Sequence, residues 1–573
     1  MQNKSNSGSS QICISEFGGI DRGSPFCRKA SAIEMENFRI LSDGSLEKRD
    51  GYKFKMNIPG TPRCIWSGEY KGYIRTFAVI GSSVYEVEIS NDSYYQIGTL
   101  TDSSGGITFL FYGDDLYVFD GTKLFVYDSI QSLSEVCGYA PLYGDYWDPV
   151  DMGSINESVN MLCQNVIIRY KIGSTPSIIN FGLDATDIVK AYFDTGRVLT
   201  SDDIELSSDG TYANCYFTES DCNLIVCITR SKYESDYRKV CVTSKAIVSN
   251  DAEGSKIYTY GGDGNSLVCM SKPVSDSQLT FSQQSFASSN GIYFPEDRSF
   301  YISGGGVTLT AIVCIYNMLL MFTNESTFVK YLSDDDNSVT LINATEGCYS
   351  GNSIAVIGDE VYTVCKGGIY KWEISSATKA KVSASLISRP VVDIVNNDTK
   401  IYPYAQKQEL WLTQEDNRVL VYNTERDAFY EFTDIDTETL FVYSDKLGLV
   451  TSEAITIFTG DMPFNQDEYY NKTAISAKYK SNYIDFSDMQ VKKRTTKMAL
   501  VCDAVGEDIG LDFCCDNGLS LSMCVSAESS DYPQSIKRRL PLGRFSLMNF
   551  CLCENMMESQ RIYSLTLSAD TEK

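Results

Sequence analysis

One pattern recurs along the chain: a polar turn, a short apolar run, a second turn and another short apolar run. It occurs at residues 113–128, 317–332, 358–374, 407–423 and 444–460. Short apolar runs joined by tight turns containing Gly or Asp are typical of β-hairpins. In the last four copies the first run is centred on Leu319, Val361, Leu410 and Leu447, which gives steps of 42, 49 and 37 residues. A mean step of about 43 residues predicts the four-stranded blades of a β-propeller.

The same hairpin repeat also occurs earlier, around Val84 and Leu116, and it is absent from the middle of the chain. Strand-like runs of other spacing follow there, and near the C-terminus alternating runs separated by acidic turns are typical of a sandwich. We therefore predict a mainly β protein, with a propeller of six or seven blades, an inserted β domain and a C-terminal β-sandwich-like domain. The expected divisions are a lead segment at 1–55, first blades at 56–150, the insert at 151–272, remaining blades at 273–464 and the sandwich at 465–573. A meandering β-sandwich with coincidental spacing is the alternative.

The composition excludes large classes of function. The chain has 573 residues, with 75 acidic and 49 basic side chains and a net charge of −26. Such a charge argues against broad binding to nucleic-acid phosphates. Histidine is absent, which removes Ser-His-Asp and Cys-His catalysis and histidine-ligated metals. We expect a protein that is not an enzyme.

Paired carboxylates are the remaining route to catalysis, as in glycoside hydrolysis. Asp114, Asp115, Asp359 and Glu360 lie in expected hairpin turns, where acidic residues are ordinary turn formers. The acidic run at 334–336 lacks the spacing of a calcium-binding loop. The sequence therefore predicts no catalytic residues, no metal site and no cofactor.

The cysteines and the apolar segments indicate the redox environment of the chain and whether it spans a membrane. There are 19 cysteines, an odd number without any CxxC pair, and many lie in apolar strand-like runs, which predicts reduced thiols. No signal peptide is visible at the N-terminus. The longest apolar stretch, at 311–322, is interrupted by Asn317 and too short for a transmembrane helix. We expect no membrane span.

Two surface features are candidate contact sites. Basic residues concentrate near the C-terminus and form a candidate partner-contact cluster of Lys492, Lys493, Arg494, Lys497, Lys537, Arg538 and Arg539. The alternative for this cluster is a solvated face. An aromatic-rich segment at 139–147 is a second candidate, for which ordinary loop packing is the alternative.

Four stretches resemble, in chain order, the tail nozzle or tail hub proteins of bacteriophages, a family that includes packaged-DNA stabilisation proteins of short-tailed phages. They are 17–52, 160–230, 260–271 continued by 292–329, and 478–501. The first stretch carries a Gly-Gly turn at 18–19 followed by Asn37, Gly44, Leu46, Arg49, Gly51 and Tyr52. In the third, the sequence YFPE at 293–296 and the strand pair after it closely resemble members of the family from phages of Gram-positive bacteria.

The resemblance implies a virion structural protein that forms a nozzle or hub ring in a phage tail. The ring is expected to be a sixfold homo-oligomer that extends the channel of the portal and adaptor proteins and contacts tail fibres or receptor-binding proteins. It would retain packaged DNA and conduct it during ejection, without sequence-specific binding. A virion propeller that binds or cleaves host glycans is the first alternative, and a protein-docking propeller without a viral role is the second.

Overall fold

The computed structural model describes the greater part of the chain. The described residues are 8–23, 30–127, 132–150, 153–241, 245–251, 254–262, 266–274, 292–302, 307–332, 338–374, 382–391, 395–396, 398–413, 417–436, 439–460, 462–486, 488–504, 508–526, 530–558 and 560–572. Within these ranges the structure is almost entirely strands and turns. The helices there are an α-helix at Tyr233–Cys241 and 3-10 turns at Arg389–Val391 and Ala405–Lys407.

Seven groups of four antiparallel strands in the described residues form the blades of a propeller, which confirms the predicted fold class. Blades 1 to 5 are separate sheets, and blades 6 and 7 are the two ends of one 14-stranded sheet. In blades 1 to 6 the strands follow one another in the chain from the axis outward. Blades 1 and 2 consist of Cys64–Tyr70, Tyr73–Ile80, Ser83–Glu88 and Ser93–Thr99, then Thr108–Tyr112, Asp115–Phe119, Leu124–Tyr127 and Leu133–Glu135. Blades 3 and 4 consist of Ala246–Asp251, Gly254–Tyr260, Leu267–Met270 and Ser299–Tyr301, then Ala311–Ile315, Met318–Phe322, Thr327–Tyr331 and Thr340–Asn343. Blades 5 and 6 consist of Ile354–Ile357, Glu360–Cys365, Gly368–Ile374 and Val382–Leu386, then Ile401–Tyr404, Glu409–Thr413, Val419–Asn423 and Ala428–Phe432.

Blade 7 closes the ring with a strand from the other end of the chain. Its first three strands are Thr439–Tyr443, Lys446–Thr451 and Ala454–Phe458, and its outer strand is Tyr52–Asn57. Ala454 pairs with Asn57 and Phe458 with Tyr52 in an antiparallel register. The first and last parts of the propeller are therefore held by an antiparallel strand ladder with one register shift, between Ile455 and Thr456.

The cores of the propeller lie between neighbouring blades. Between blades 7 and 1, for example, Phe441 and Ile457 are buried in one cluster with Ile65 and Ala78, and Met56 of the closing strand belongs to the same cluster. Similar clusters join the other neighbours around the ring. The middle strands of the blades are largely buried on both faces, which is why short runs such as Leu124–Tyr127 are apolar throughout.

Two departures from the expected rhythm have simple causes. Val84 lies in the third strand of blade 1, Ser83–Glu88, whereas Leu116 lies in the second strand of blade 2, so the step of 32 residues compares different strands. Blade 3 begins at Ala246, inside the region expected to be the insert. The repeat was not visible there, because residues 271–298 separate the third and fourth strands of this blade.

The insert lies between blades 2 and 3 and packs two sheets around a core of its own. The larger sheet contains Leu142–Tyr146, Asn165–Ile172, Cys222–Arg230 and Ala185–Phe193, and the smaller one contains Ile178–Asn180, Tyr212–Cys215 and Ile204–Leu206. Residues buried in this core include Tyr146, Tyr170 and Phe193. The helix Tyr233–Cys241 connects the insert to blade 3.

The C-terminal region is a two-sheet sandwich completed by the N-terminal segment, and we call this unit the terminal sandwich. One sheet contains Gly8–Ile14, Phe38–Ile40, Leu46–Lys48, Ile562–Glu572, Lys492–Ala504 and Ser530–Arg539. The other contains Ala32–Glu36, Lys472–Ser481, Met548–Met556, Asp508–Cys515 and Ser520–Ser526, with the short strand Phe464–Gln466 beside it. The lead segment is thus shared between the terminal sandwich and blade 7.

The terminal sandwich is continuous with blade 6. The strand Ala32–Glu36 pairs with Lys472–Ser481 on one side and, at Glu36, with Glu431 of the outer strand of blade 6 on the other. As a result the outer strand Ala428–Phe432 is buried along its whole length, whereas the outer strand of blade 1, Ser93–Thr99, is largely exposed. The two domains therefore share a sheet and a core.

Candidate functional site

Asn37 lies where the N-terminal segment, blade 6 and the terminal sandwich meet, a contact we call the terminal joint. Its side chain is buried, and its backbone has a positive φ of 57° between two strands. Its Nδ2 donates to Thr433 Oγ1 at 2.8 Å and to the Ser476 carbonyl at 2.7 Å. Its Oδ1 accepts from Arg49 Nε at 2.8 Å and from the Thr433 amide at 2.9 Å. One amide side chain thus joins three parts of the fold with its hydrogen-bonding capacity filled.

Arg49 and Gly51 fix the same joint from the short connection between the strands Leu46–Lys48 and Tyr52–Asn57. Arg49 is buried, and its Nη2 donates to the Thr433 carbonyl at 3.1 Å. Burial lowers the pKa of Arg49 to about 10. Gly51 approaches the backbone at 462–464 so closely that a Cβ would lie 1.8 Å from the Phe464 carbonyl oxygen. Only glycine can occupy this position without displacing the closing strand.

A buried ion pair adds to the terminal joint. Arg39 donates from Nε and Nη2 to the two carboxylate oxygens of Glu409, at 2.7 and 3.2 Å, and from Nη1 to Asp50 at 3.0 Å. Glu409 is fully buried and also accepts from Trp411 Nε1 at 3.0 Å and the Tyr430 hydroxyl at 2.6 Å. The buried charge of Glu409 is tolerated because its carboxylate accepts hydrogen bonds from Arg39, Trp411 and Tyr430.

A second joint, which we call the insert joint, holds the insert on the propeller. Asn160 is buried, and its Oδ1 accepts from the Phe294 amide at 2.9 Å while its Nδ2 donates to the Ile292 carbonyl at 2.9 Å. Arg230, at the end of the insert, donates to the Asn160 carbonyl at 2.9 Å and pairs with Asp236 of the helix. The insert is therefore tied at its base to the segment that leads into the outer strand of blade 3.

Both joints contain residues from the stretches that resemble the phage tail nozzle or hub proteins. Asn37, Arg49 and Gly51 belong to the first stretch, and Phe294 belongs to the YFPE sequence of the third. The sequence indicated these residues only through the resemblance. Their partners, such as Thr433 and Ser476, lie hundreds of residues away, and no local pattern in the sequence pointed to them.

The structure separates Lys493 from the other six residues of the predicted basic cluster. Lys493 is only 1% exposed, and its ammonium group donates to the carbonyls of Asp488 and Ser546, so it is a structural residue inside the terminal sandwich and not part of a contact surface. Burial lowers the pKa of Lys493, although the carboxylates of Asp485, Asp488 and Asp516 oppose the shift. Its place follows from the strand alternation, which turns every second side chain inward.

The other six basic residues are exposed on two neighbouring strands. Lys497 lies directly opposite Arg539, and Lys537 lies two residues further along the same strand. The strand Ser530–Arg539 is at the edge of its sheet. Among the described residues none of these six side chains forms an ion pair, and like charges directly opposite each other repel. We call Lys497, Lys537, Arg538 and Arg539 the basic edge; it also discourages uncontrolled strand pairing.

The aromatic-rich segment at 139–147 is mostly interior. Tyr139, Tyr143 and Tyr146 are buried, the last two in the core of the insert. Trp147 is 75% exposed, and Lys171 Nζ lies 5.1 Å from its ring centroid. Ordinary packing therefore accounts for the tyrosines, and Trp147 is the aromatic side chain of this segment that is open to a partner.

The carboxylates at expected turns have local roles. Asp115 lies 4.0 Å from Lys71, and Glu360 accepts from the Tyr362 hydroxyl at 2.5 Å and pairs with Lys371 at 2.5 Å. The acidic run at 334–336 lies outside the described residues. In the described part of the chain no group of three or more cysteine or carboxylate side chains is arranged to hold a metal ion.

The described residues contain free thiols and few helices. The described cysteines are free thiols, and most of them are partly or fully buried. Cys551 and Cys553 lie on one face of a strand with their sulfur atoms 3.6 Å apart. Within the described ranges no helix is long and apolar enough to cross a membrane.

Comparisons with known proteins add little to these observations. No family model and no curated protein matches the chain. The structure of YCF48 bound to D1 peptide is 8% identical at a TM-score of 0.33 and covers 71% of this chain and 94% of that chain. The Cps50 (Swd1) β-propeller domain of Myceliophteria thermophila is 7% identical at 0.32, covering 73% and 98%, and U3-55K is 7% identical at 0.33, covering 71% and 98%. At such scores the fold assignment rests on the sheets of this chain itself.

Proposed function

We propose that this protein is a structural subunit of a bacteriophage tail, where it forms a nozzle or hub ring next to the portal and adaptor proteins. The observation that carries the proposal is the position of the phage-like residues. Asn37, Arg49 and Gly51 lie in the terminal joint, and Phe294 lies in the insert joint. Residues that carry the resemblance therefore also hold the domains together, which suits a subunit that transmits mechanical load.

The architecture supports a role that depends on rigidity. The closing strand Tyr52–Asn57 completes blade 7, and the strand pairing at Glu36 joins blade 6 directly to the terminal sandwich. Propellers also expose only short sheet edges. A subunit with these properties keeps its shape when neighbouring subunits and a pressurised genome act on it.

The charge distribution suggests how copies would associate. The basic edge, which includes Lys497 and Arg539, lies on a protein of net charge −26. An acidic surface of a neighbouring copy attracts such an edge, and a contact between unlike surfaces builds a ring when its rotation closes. We expect the number of subunits to be six, as in the family that the sequence resembles.

The same net charge suits a passage for DNA. A ring of chains that each carry −26 presents an excess of acidic groups, and acidic walls repel phosphates instead of binding them. DNA could then slide without adhering, while tail fibres or receptor-binding proteins attach outside. This role requires no catalytic residue and no cofactor.

A density map of intact virions that contain this chain tests the proposal. The expected result is a closed ring of copies directly below the portal and adaptor, with the propellers around a central passage. Absence of the chain from purified virions, or its presence as isolated copies away from the tail axis, would refute it. A density map also separates the ring from a peripheral glycan-binding propeller, which would lie on the outside of the tail.

A further inference from the structure

A cavity of about 640 Å³ occupies the axial channel of the propeller at the end where the inner strands begin. All seven blades contribute to its lining, from Arg63–Ser67 in blade 1 to Thr439–Val442 in blade 7. Cavities of a few hundred Å³ with a few fixed polar groups are the usual sites for organic ligands. We call this cavity the axial mouth.

The charged side chains that line the axial mouth are all basic. They are Arg63, Lys245 and Lys400, and no acidic side chain is among the described residues that line it. The whole chain has 75 acidic and 49 basic residues, so the excess of basic side chains in this cavity is opposite in sign to the net charge of the protein. The axial mouth is therefore a positive site on an acidic protein.

Two of the three cations are anchored by backbone oxygens. Arg63 donates to the carbonyls of Asp102 and Gly105, both at 3.0 Å, and Lys245 Nζ donates to the Thr310 carbonyl at 2.9 Å. Lys245 also lies over the ring of Tyr260, 5.7 Å from its centroid. Burial lowers the pKa of Lys245, as expected for a cation held away from water. A bound anion would stabilise its charged form.

The remaining wall is largely apolar and aromatic. It includes Trp66, Ile107, Tyr402 and Phe441. An inorganic oxyanion would fill only a small part of the volume and would leave this wall in contact with water. A ligand that carries an apolar body in addition to its anionic group uses both parts of the lining.

We propose that the axial mouth binds organic carboxylates, with the carboxylate held among Arg63, Lys245 and Lys400 and an aromatic or aliphatic body packed against Trp66 and Phe441. The carboxylate can belong to an acidic side chain of a partner peptide or to a free organic acid, since the recognising chemistry is the same. This inference does not depend on the proposed role in the virion.

Isothermal titration calorimetry of the full-length protein tests the proposal with four organic probes and one inorganic probe. The organic probes are 3-phenylpropionate, its neutral amide, a capped Phe-Glu-Phe peptide and its Phe-Gln-Phe analogue, and the inorganic probe is phosphate. We expect saturable binding of an acid, weaker binding of its amide, and weaker binding of phosphate than of that acid. Tighter binding of the peptide than of 3-phenylpropionate assigns the carboxylate to a partner chain, and the reverse order assigns it to a free acid.

Matched lysine variants locate the binding. Lys400→Met is expected to weaken binding of the preferred acid about tenfold or more, because the binding carboxylate loses a cation. Lys245→Met provides an independent second variant with the same expectation. Lys366→Met changes an exposed lysine of blade 5 outside the axial mouth and should leave the affinity unchanged. Equal binding of acid and amide, phosphate binding as tight as that of the acid, no binding of any probe, or equal losses in all three variants would overturn the proposal.

Discussion

Replacing Arg39 with methionine removes the guanidinium that joins the N-terminal segment to blade 6. The Arg39 side chain is 6% exposed, and its partner Glu409 is 0% exposed. After the replacement Glu409 keeps the hydrogen bonds from Trp411 and Tyr430 but loses both from Arg39. Removing one partner of a buried ion pair costs about 3–5 kcal/mol, and the two remaining donors favour the lower end of that range.

Arg418 provides a matched control at the same joint. Its guanidinium lies 3.7 Å from Glu431 and 4.0 Å from Glu36, but its side chain is 47% exposed. Exposed ion pairs contribute at most about 1 kcal/mol. Arg418→Met should therefore lower the free energy of unfolding by much less than Arg39→Met does, although both remove an arginine between the N-terminal segment and blade 6.

Urea denaturation combined with hydrogen–deuterium exchange measures the effect. The exchange data are needed because a chain of several domains need not unfold in one step. We expect Arg39→Met to lower the protection of Ala428–Phe432 and Tyr52–Asn57, which lie at the joint and the ring closure. Adding Glu409→Leu should restore part of the loss, because it removes the unpaired carboxylate. Equal effects of Arg39→Met and Arg418→Met, or no recovery in the double variant, would show that the buried pair of Arg39 and Glu409 does not stabilise the joint.

Three further predictions concern the terminal joint and the basic edge. Gly51→Ala places a Cβ 1.8 Å from the Phe464 carbonyl oxygen, so thermal unfolding should show destabilisation of about 2 kcal/mol or more; an unchanged melting temperature would contradict the close approach. Burial raises the pKa of Asp50, but the charges of Arg39 and Lys407 outweigh it and the net pKa is lowered. Asp50 therefore stabilises the fold above its unfolded pKa of about 4 and loses this effect as the pH falls through its folded pKa, so urea midpoints of Asp50→Asn should fall less steeply in acid than those of the native chain. Lys497→Glu combined with Arg539→Glu should weaken self-association in sedimentation experiments at low salt without changing the melting temperature by more than a few degrees, whereas unaltered association would remove the basic edge from the proposed contact.

The propeller was predictable because its signals are local. Hairpins such as the pair Asp115–Phe119 and Leu124–Tyr127 are specified by their own apolar runs and by the turn at Gly121. Blade 3 was hidden by the long interval between Met270 and Ser299. The closing strand Tyr52–Asn57 has no local signal for its place, since its partner lies about 400 residues away in the sequence.

The site residues differ in how far the sequence could indicate them. The inward position of Lys493 follows from strand alternation, since its neighbours Lys492 and Arg494 are exposed, so a closer use of the period-two pattern would have separated it from the cluster. The pairing of Arg39 with Glu409 could not be foreseen, because it arises only when blade 6 meets the N-terminal segment. The axial mouth likewise combines residues from all seven blades.

Native mass spectrometry of the full-length chain, recorded over a range of protein and salt concentrations, tests the ring most directly. We predict one closed stoichiometry, with six copies expected, that dissociates to monomers as salt screens the basic edge. A chain that remains monomeric at every concentration, or one that forms open assemblies of continuously increasing size, would contradict the claim that it is a ring-forming subunit.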